Sequence, residues 1–149
     1  MKSDELQRYI EENIPLVAKA GFVIEESTCE RVSVHGPFPE NRNHHGSVFG
    51  GSISVISVLA GWLLVREIME KENPQARIVI SSQTLEYLRP LRKDFIAEAV
   101  KPDISDFGPF LKRLDAAGKA RLEVQVLVRE EEGSEPCARF QGTFHVAVD

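Results

Sequence analysis

Apolar residues recur every three or four positions at the start of the chain, with Leu6, Tyr9, Ile10, Ile14, Val17 and Ala18 forming one stripe between Ser3 and Lys19. Ser3 is a candidate N-cap, Asp4 and Glu5 make the first turn acidic, and Gly21 follows the last periodic residue. An amphipathic helix is predicted there, bent or split at Pro15 because proline cannot donate to the preceding turn. The β-branched residues Val23, Ile24, Thr28, Val32 and Val34 then predict one long or broken strand over Phe22 to His35. From Gly36 to Gly50, the residues Pro37, Pro39, Asn41, Asn43, Gly46 and Gly50 are loop formers.

A second helix is predicted from Gly51 to about Lys71, where apolar residues from Ile53 to Met69 leave no polar face until the last two turns. A helix apolar all round must be enclosed on most sides. Its uncharged stretch, Gly50 to Val65, falls about two to four residues short of a typical membrane span and carries Ser52, Ser54 and Ser57, so burial is expected rather than membrane insertion. After Asn73-Pro74 the pattern turns to strands: Arg77 to Leu88, Phe95 to Val100, Ala120 to Arg129 and Cys137 to Val148. Ala120, Leu122, Val124, Val126 and Val128 alternate with polar residues, as do Ala138, Phe140, Gly142, Phe144 and Val146, which marks an antiparallel sheet with one covered face. The run Glu130 to Ser134 between them reads as a solvated hairpin turn. The order α-β-α-β-β-β-β predicts a single α+β domain in which a curved antiparallel sheet wraps the apolar helix.

At 149 residues the chain matches one domain able to bury its own core, and 42% apolar with 28% charged residues excludes a disordered or collagen-like class. A net charge of −5 argues against nucleic acid as a partner. Cys29 and Cys137 belong to no metal or redox spacing, and Met1 to Leu6 lacks an apolar signal core, so reduced thiols and a cytoplasmic location are expected.

Two motifs carry a resemblance. Asn43-His44-His45-Gly46-Ser47-Val48-Phe49-Gly50-Gly51-Ser52 resembles the N-x-x-G-[ST]-x-[HF]-G-G signature of hotdog-fold acyl-thioester enzymes, and Leu85-Glu86-Tyr87-Leu88-Arg89-Pro90 resembles the end of their second strand. With Gly61-Trp62 and Gly118-Lys119-Ala120-Arg121, the chain is more similar still to the thioesterase-like domain that some bacterial proteins carry behind a GNAT acetyltransferase. Free-standing members of that group include malonyl-acyl-carrier-protein decarboxylases, and nothing here resembles the acetyltransferase partner. The resemblance covers roughly residues 20 to 148. It implies a hotdog fold, a homodimer or dimer of dimers with sites at the interface, an acyl thioester of coenzyme A or acyl carrier protein as substrate, and no cofactor.

A helix N-terminus presents unpaired N–H groups and partial positive charge, so Gly50 and Gly51 are placed to hold a thioester oxygen that becomes negative. The resemblance adds the Asn43 amide as a second donor to an oxyanion hole. The competing reading is that Asn43 fixes a turn and the glycines only pack. Many hotdog thioesterases carry a carboxylate about two turns into the helix, yet Ser54 to Gly61 contains no Asp or Glu. Loss of CO₂ from a malonyl thioester needs an oxyanion stabilised and no water activated, which fits such a site.

His44 and His45 are candidate proton donors or solvated loop histidines. No metal is expected, because those two are adjacent and His35 and His145 have no second ligand at helical or turn spacing. Gly46, Phe49, Gly50 and Ser52 of the motif are assigned to substrate binding. Ser82 is a strand residue that either contacts substrate or is structural. Arg89 belongs to a basic group with Arg92 and Lys93 that either meets carrier phosphates or stays solvated, as does the group Lys112, Arg113, Lys119 and Arg121. Glu86, Asp103 and Asp106 are the carboxylates left to rescue a hydrolytic route.

Overall fold

The computed structural model describes residues 3–148. Pro15 splits the opening helix, giving α1 (Ser3–Asn13) and α2 (Pro15–Ala20), with proline at the first position of the second piece, where its missing N–H costs nothing. Gly21 ends α2 in the left-handed conformation at φ 75°, its N–H returned to the last turn. The segment expected as one long or broken strand is a hairpin of β1 (Val23–Ser27) and β2 (Arg31–Gly36). Thr28 closes it, its hydroxyl accepting the N–H groups of Glu30 and Arg31 at 3.2 and 3.0 Å.

One turn of helix, α3 (Phe38–Asn41), interrupts the next loop before the central helix α4 (Gly50–Glu72). Then come β3 (Arg77–Tyr87), β4 (Phe95–Val100), α5 (Ile104–Ala117), β5 (Lys119–Glu130) and β6 (Ala138–Ala147). All strand pairs are antiparallel, in the order β1-β2-β4-β5-β6-β3. This is the expected sheet around a helix. Ile56, Leu63, Leu64 and Val65 of α4 are fully buried with Val32, Val34, Val124, Val126, Phe140 and Phe144 of the sheet. The apolarity of α4, enough in length and composition to cross a membrane, is thus mostly spent against the sheet.

Helix α5 corrects the expected element order, which ran straight from strand to strand. Gly108-Pro109 reads as a turn, but Pro109 lies inside the helix at its sixth position, where it gives up one i→i−4 bond and the helix continues through it. Phe107, Phe110 and Leu114 form its buried stripe, and Gly118 caps it at φ 72° with its N–H on the Leu114 carbonyl.

Candidate active site

The mouth of α4 is held by its preceding loop. Asn41 is buried, and its Nδ2 donates to the carbonyls of Ala20 (2.9 Å) and Pro37 (2.8 Å), so one side chain binds the ends of α2 and of β2's connection together. Its own carbonyl accepts the Phe49 N–H at 2.7 Å, and the Val48 N–H donates to Leu91 at 2.8 Å. Phe49 is the N-cap, with extended backbone and no side-chain cap. Its carbonyl accepts from Ser52 and Ile53. The N–H groups of Gly50 and Gly51 point out of the first turn with no acceptor among the described residues.

The glycines here have a steric reason. A Cβ on Gly51 would lie 2.4 Å from the Phe49 ring, and one on Gly50 would lie 3.3 Å from the Tyr87 hydroxyl. Backbone therefore reaches the surface at the helix mouth, framed by two exposed aromatic rings.

Asn43 sits at the base of the loop bridged by Arg42 and Val48. Its Oδ1 accepts the N–H groups of His45 (2.8 Å) and Ser47 (3.2 Å), and its Nδ2 donates to Ser47 Oγ at 3.1 Å. That is an Asx-type turn, and it leaves Nδ2 one further N–H. Gly46 lies in the same loop at φ 77° with open space around it, so its backbone rather than its packing calls for glycine. His44 and His45 are exposed, with ring centroids 3.9 Å apart. Ser52 is half-buried in the first turn of α4.

Strand β3 supplies the second wall. A bulge lies between Ile80 and Ser82, where Ser81 Oγ donates to the Thr143 carbonyl at 3.1 Å. Beyond it, Gln83, Leu85 and Tyr87 pair with the inward Gly142, Phe140 and Ala138, and so face α4. Gln83 Nε2 donates to Ser54 Oγ at 3.0 Å and the Tyr87 hydroxyl to the Gly50 carbonyl at 3.1 Å. Ser82 pairs with Thr143 and Glu86 with Arg139, which puts both on the outer face. The structure therefore gathers Asn43, Phe49, Gly50, Gly51 and Ser52 about the helix mouth and leaves Ser82 on the other side of the sheet. Asn41, Ser54, Gln83 and Tyr87 are the neighbours that the motif reading did not assign.

Among the described residues, the carboxylates named as candidates lie away from this wall. The first acidic residue of α4 is Glu67, five turns in and paired with Arg66 at 3.1 Å. Asp103 and Asp106 begin α5 and line a groove of about 690 Å³ on the outer face of the sheet with Glu98 and Glu123. Half-buried Val58 occupies the helix position two turns after Gly51. Arg89 is exposed and ion-paired with Glu135, while Arg92, Lys93, Lys112, Arg113, Lys119 and Arg121 are exposed.

Residues 3–148 match the family model described as "Putative thioesterase (yiiD_Cterm)", so the likeness extends through α1, beyond the part expected from motifs. A Chlorobaculum tepidum protein of unknown function superposes with a TM-score of 0.88 at 21% identity, covering 99% of this chain and 94% of that one. A Pseudomonas aeruginosa protein described as a "Probable Thioesterase" gives 0.85 at 22%, covering 99% and 96%. A "putative thioesterase" from Shewanella oneidensis gives 0.84 at 26%, covering 99% and 97%. The shared architecture is the hotdog fold.

Proposed function

Since the chain belongs to this thioesterase-like family, we propose that it acts on acyl thioesters of coenzyme A or acyl carrier protein, with decarboxylation of a malonyl thioester as its favoured chemistry. One observation carries the reading: the helix mouth offers the free N–H groups of Gly50 and Gly51, while α4 carries no carboxylate before Glu67. The thioester carbonyl would accept from these donors, joined by the second N–H of Asn43. Cleavage of the bond between the malonyl methylene and its carboxylate releases CO₂ and leaves an enolate. The enolate oxygen holds the negative charge in the donor cradle until a proton from water, His44 or His45 returns to carbon. Each such donor is worth about 3–4 kcal/mol of barrier.

A homodimer, or a pair of dimers, is the assembly this reading calls for, and the free edge of the sheet supports it. β3 is an 11-residue edge strand with exposed Val79 and Tyr87. A long, exposed edge of that kind asks for a partner strand, and a second β3 across a two-fold axis would enclose Gln83 and Tyr87 between two chains. We read Cys29 and Cys137, both free, as the reduced thiols of a cytoplasmic protein; burial raises the pKa of Cys137 and keeps it in the unreactive thiol form.

A catalytically silent acyl-thioester-binding dimer is the second reading, favoured by the Asn43 amide being already tied to Ser47. The deciding experiment incubates purified protein with malonyl, acetyl and long-chain acyl thioesters while free thiol and CO₂ are followed separately. CO₂ with acetyl thioester and little thiol is expected. Prompt thiol release without CO₂ would mean hydrolysis, and binding without turnover would mean the silent module.

A further inference from the structure

On the outer face of the sheet, three ligating side chains converge. His35 alternates outward on β2, between inward Val34 and Gly36. Asp94 immediately precedes β4, and Glu131 immediately follows β5, where its N–H donates to the Asp94 carbonyl at 2.9 Å. His35 Nε2 lies 3.3 Å from Asp94 Oδ2 and 3.7 Å from Glu131 Oε2, and the three donor atoms all fall within 4.8 Å of one another.

Two arguments separate this from an ordinary ion pair. A charge-assisted N–H to carboxylate bond closes to about 2.7–2.9 Å, and both separations here exceed that. Donors bound at about 2.0–2.1 Å around a tetrahedral ion stand about 3.4 Å apart; the His35–Asp94 pair matches this at 3.3 Å, and the His35–Glu131 pair is somewhat wider at 3.7 Å. The arrangement is also held from behind. Asp94 Oδ1 accepts the Phe38 N–H at 2.8 Å, leaving Oδ2 for the cluster. The turn carrying Glu131 is pinned by the Arg129 guanidinium on the carbonyls of Glu130, Glu131 and Gly133, and that same guanidinium is paired with Glu98. Beside the cluster a cleft of about 400 Å³ is lined by Phe38, Pro39, Lys93 and Glu132.

We propose that His35, Asp94 and Glu131 bind one divalent transition-metal ion of the zinc class, with a fourth position open to this cleft. Imidazole with two carboxylates suits zinc better than calcium or magnesium, which prefer oxygen alone. An ion here ties together β2, the start of β4 and the end of β5. Through Asp94 it also reaches Phe38 and so α3, whose Asn41 holds the Phe49 N–H at the mouth of α4. Sequence spacing gave His35 no second ligand, and the fold supplies two.

The test is calorimetric titration of zinc chloride into protein stripped with chelator. One ion per chain at micromolar Kd is expected, with the thermal midpoint rising by about 5–10 °C at a hundredfold excess over Kd. His35→Gln and Glu131→Gln should each weaken binding at least tenfold, whereas a His44→Gln/His45→Gln double variant should bind as the wild type does. Absence of saturable binding to the wild type overturns the site, and so does binding that survives the first two variants or vanishes in the double variant. Should the single variants misfold, cobalt(II) added to the wild type decides: intense four-coordinate visible bands support the site, and a weak aquo-like spectrum refutes it.

Discussion

Truncating Asn41 to alanine removes two hydrogen bonds at once and leaves the Ala20 and Pro37 carbonyls facing a void. Each bond contributes about 1 kcal/mol net, and a buried acceptor left unpaired adds to that, so the loss should be about 2–4 kcal/mol. For a domain of this length that is a fall of about 4–16 °C in the thermal midpoint, read by circular dichroism. The Asn41→Asp variant keeps the volume but turns a double donor into an acceptor against two carbonyls, so at neutral pH it should be no better than alanine. Burial and those carbonyls both favour the neutral acid, which raises the folded-state pKa above the unfolded value near 3.9. The deficit of this variant relative to wild type is therefore smallest below that unfolded value, where the protonated acid still donates one bond. It grows as pH rises toward the folded-state pKa. A midpoint within 2 °C of wild type for the alanine variant, or a pH-independent deficit for the aspartate variant, would refute the assignment of Asn41 as the buried tie beneath the helix mouth.

Asn43→Ala should cut turnover of the preferred thioester about a hundredfold, the loss expected for one oxyanion donor, with a fold judged intact by circular dichroism. Asn43→Asp should be at least as damaging, because it brings negative charge to an oxygen becoming negative, and preserved thiol release by that variant would indicate a base there instead. Val58→Asp should destabilise the protein or its assembly unless the carboxylate reaches the site, in which case thiol release from acyl thioesters should appear; unchanged stability with unchanged chemistry would show that position 58 is neither buried nor near the substrate. Light scattering should give a dimer or tetramer, and a fully active monomer would remove the argument from the β3 edge.

Elements with strict alternation were legible in the sequence almost to the residue: β5 and β6 were expected as Ala120 to Arg129 and Cys137 to Val148, and each differs by one residue at either end. Phe95–Val100 was expected with the bounds observed, and α4 differs by one residue at either end. Helix α5 was hidden by Gly108-Pro109, although Phe107, Phe110, Leu111 and Leu114 carry helical spacing and Gly118 a stop signal. In β3 the signal was subtler. Ile78 and Ile80 are inward at even positions whereas Leu85 and Tyr87 are inward at odd ones, a change of phase that marks a bulge. Without the bulge the face of Ser82 stayed open between substrate contact and a structural role, and Gln83 is the residue facing α4. The metal-ligand cluster was illegible for a different reason: His35, Asp94 and Glu131 come from three strand ends, and only strand order makes them neighbours.

The enclosure of α4 sets a problem of timing for the cell. The helix is complete in the chain at Glu72, but the strands that cover it end only at Ala147, 75 residues later. At ribosomal rates of about 5–20 residues per second, this leaves a 23-residue apolar helix without its sheet for roughly 4–15 s. Closure also waits on β3 meeting β6, whose partners lie as far apart as Arg77 and Ala147, a long loop to fold shut. The same apolar surface that makes the finished core is, until the last strand arrives, a ligand for chaperones and for other nascent chains.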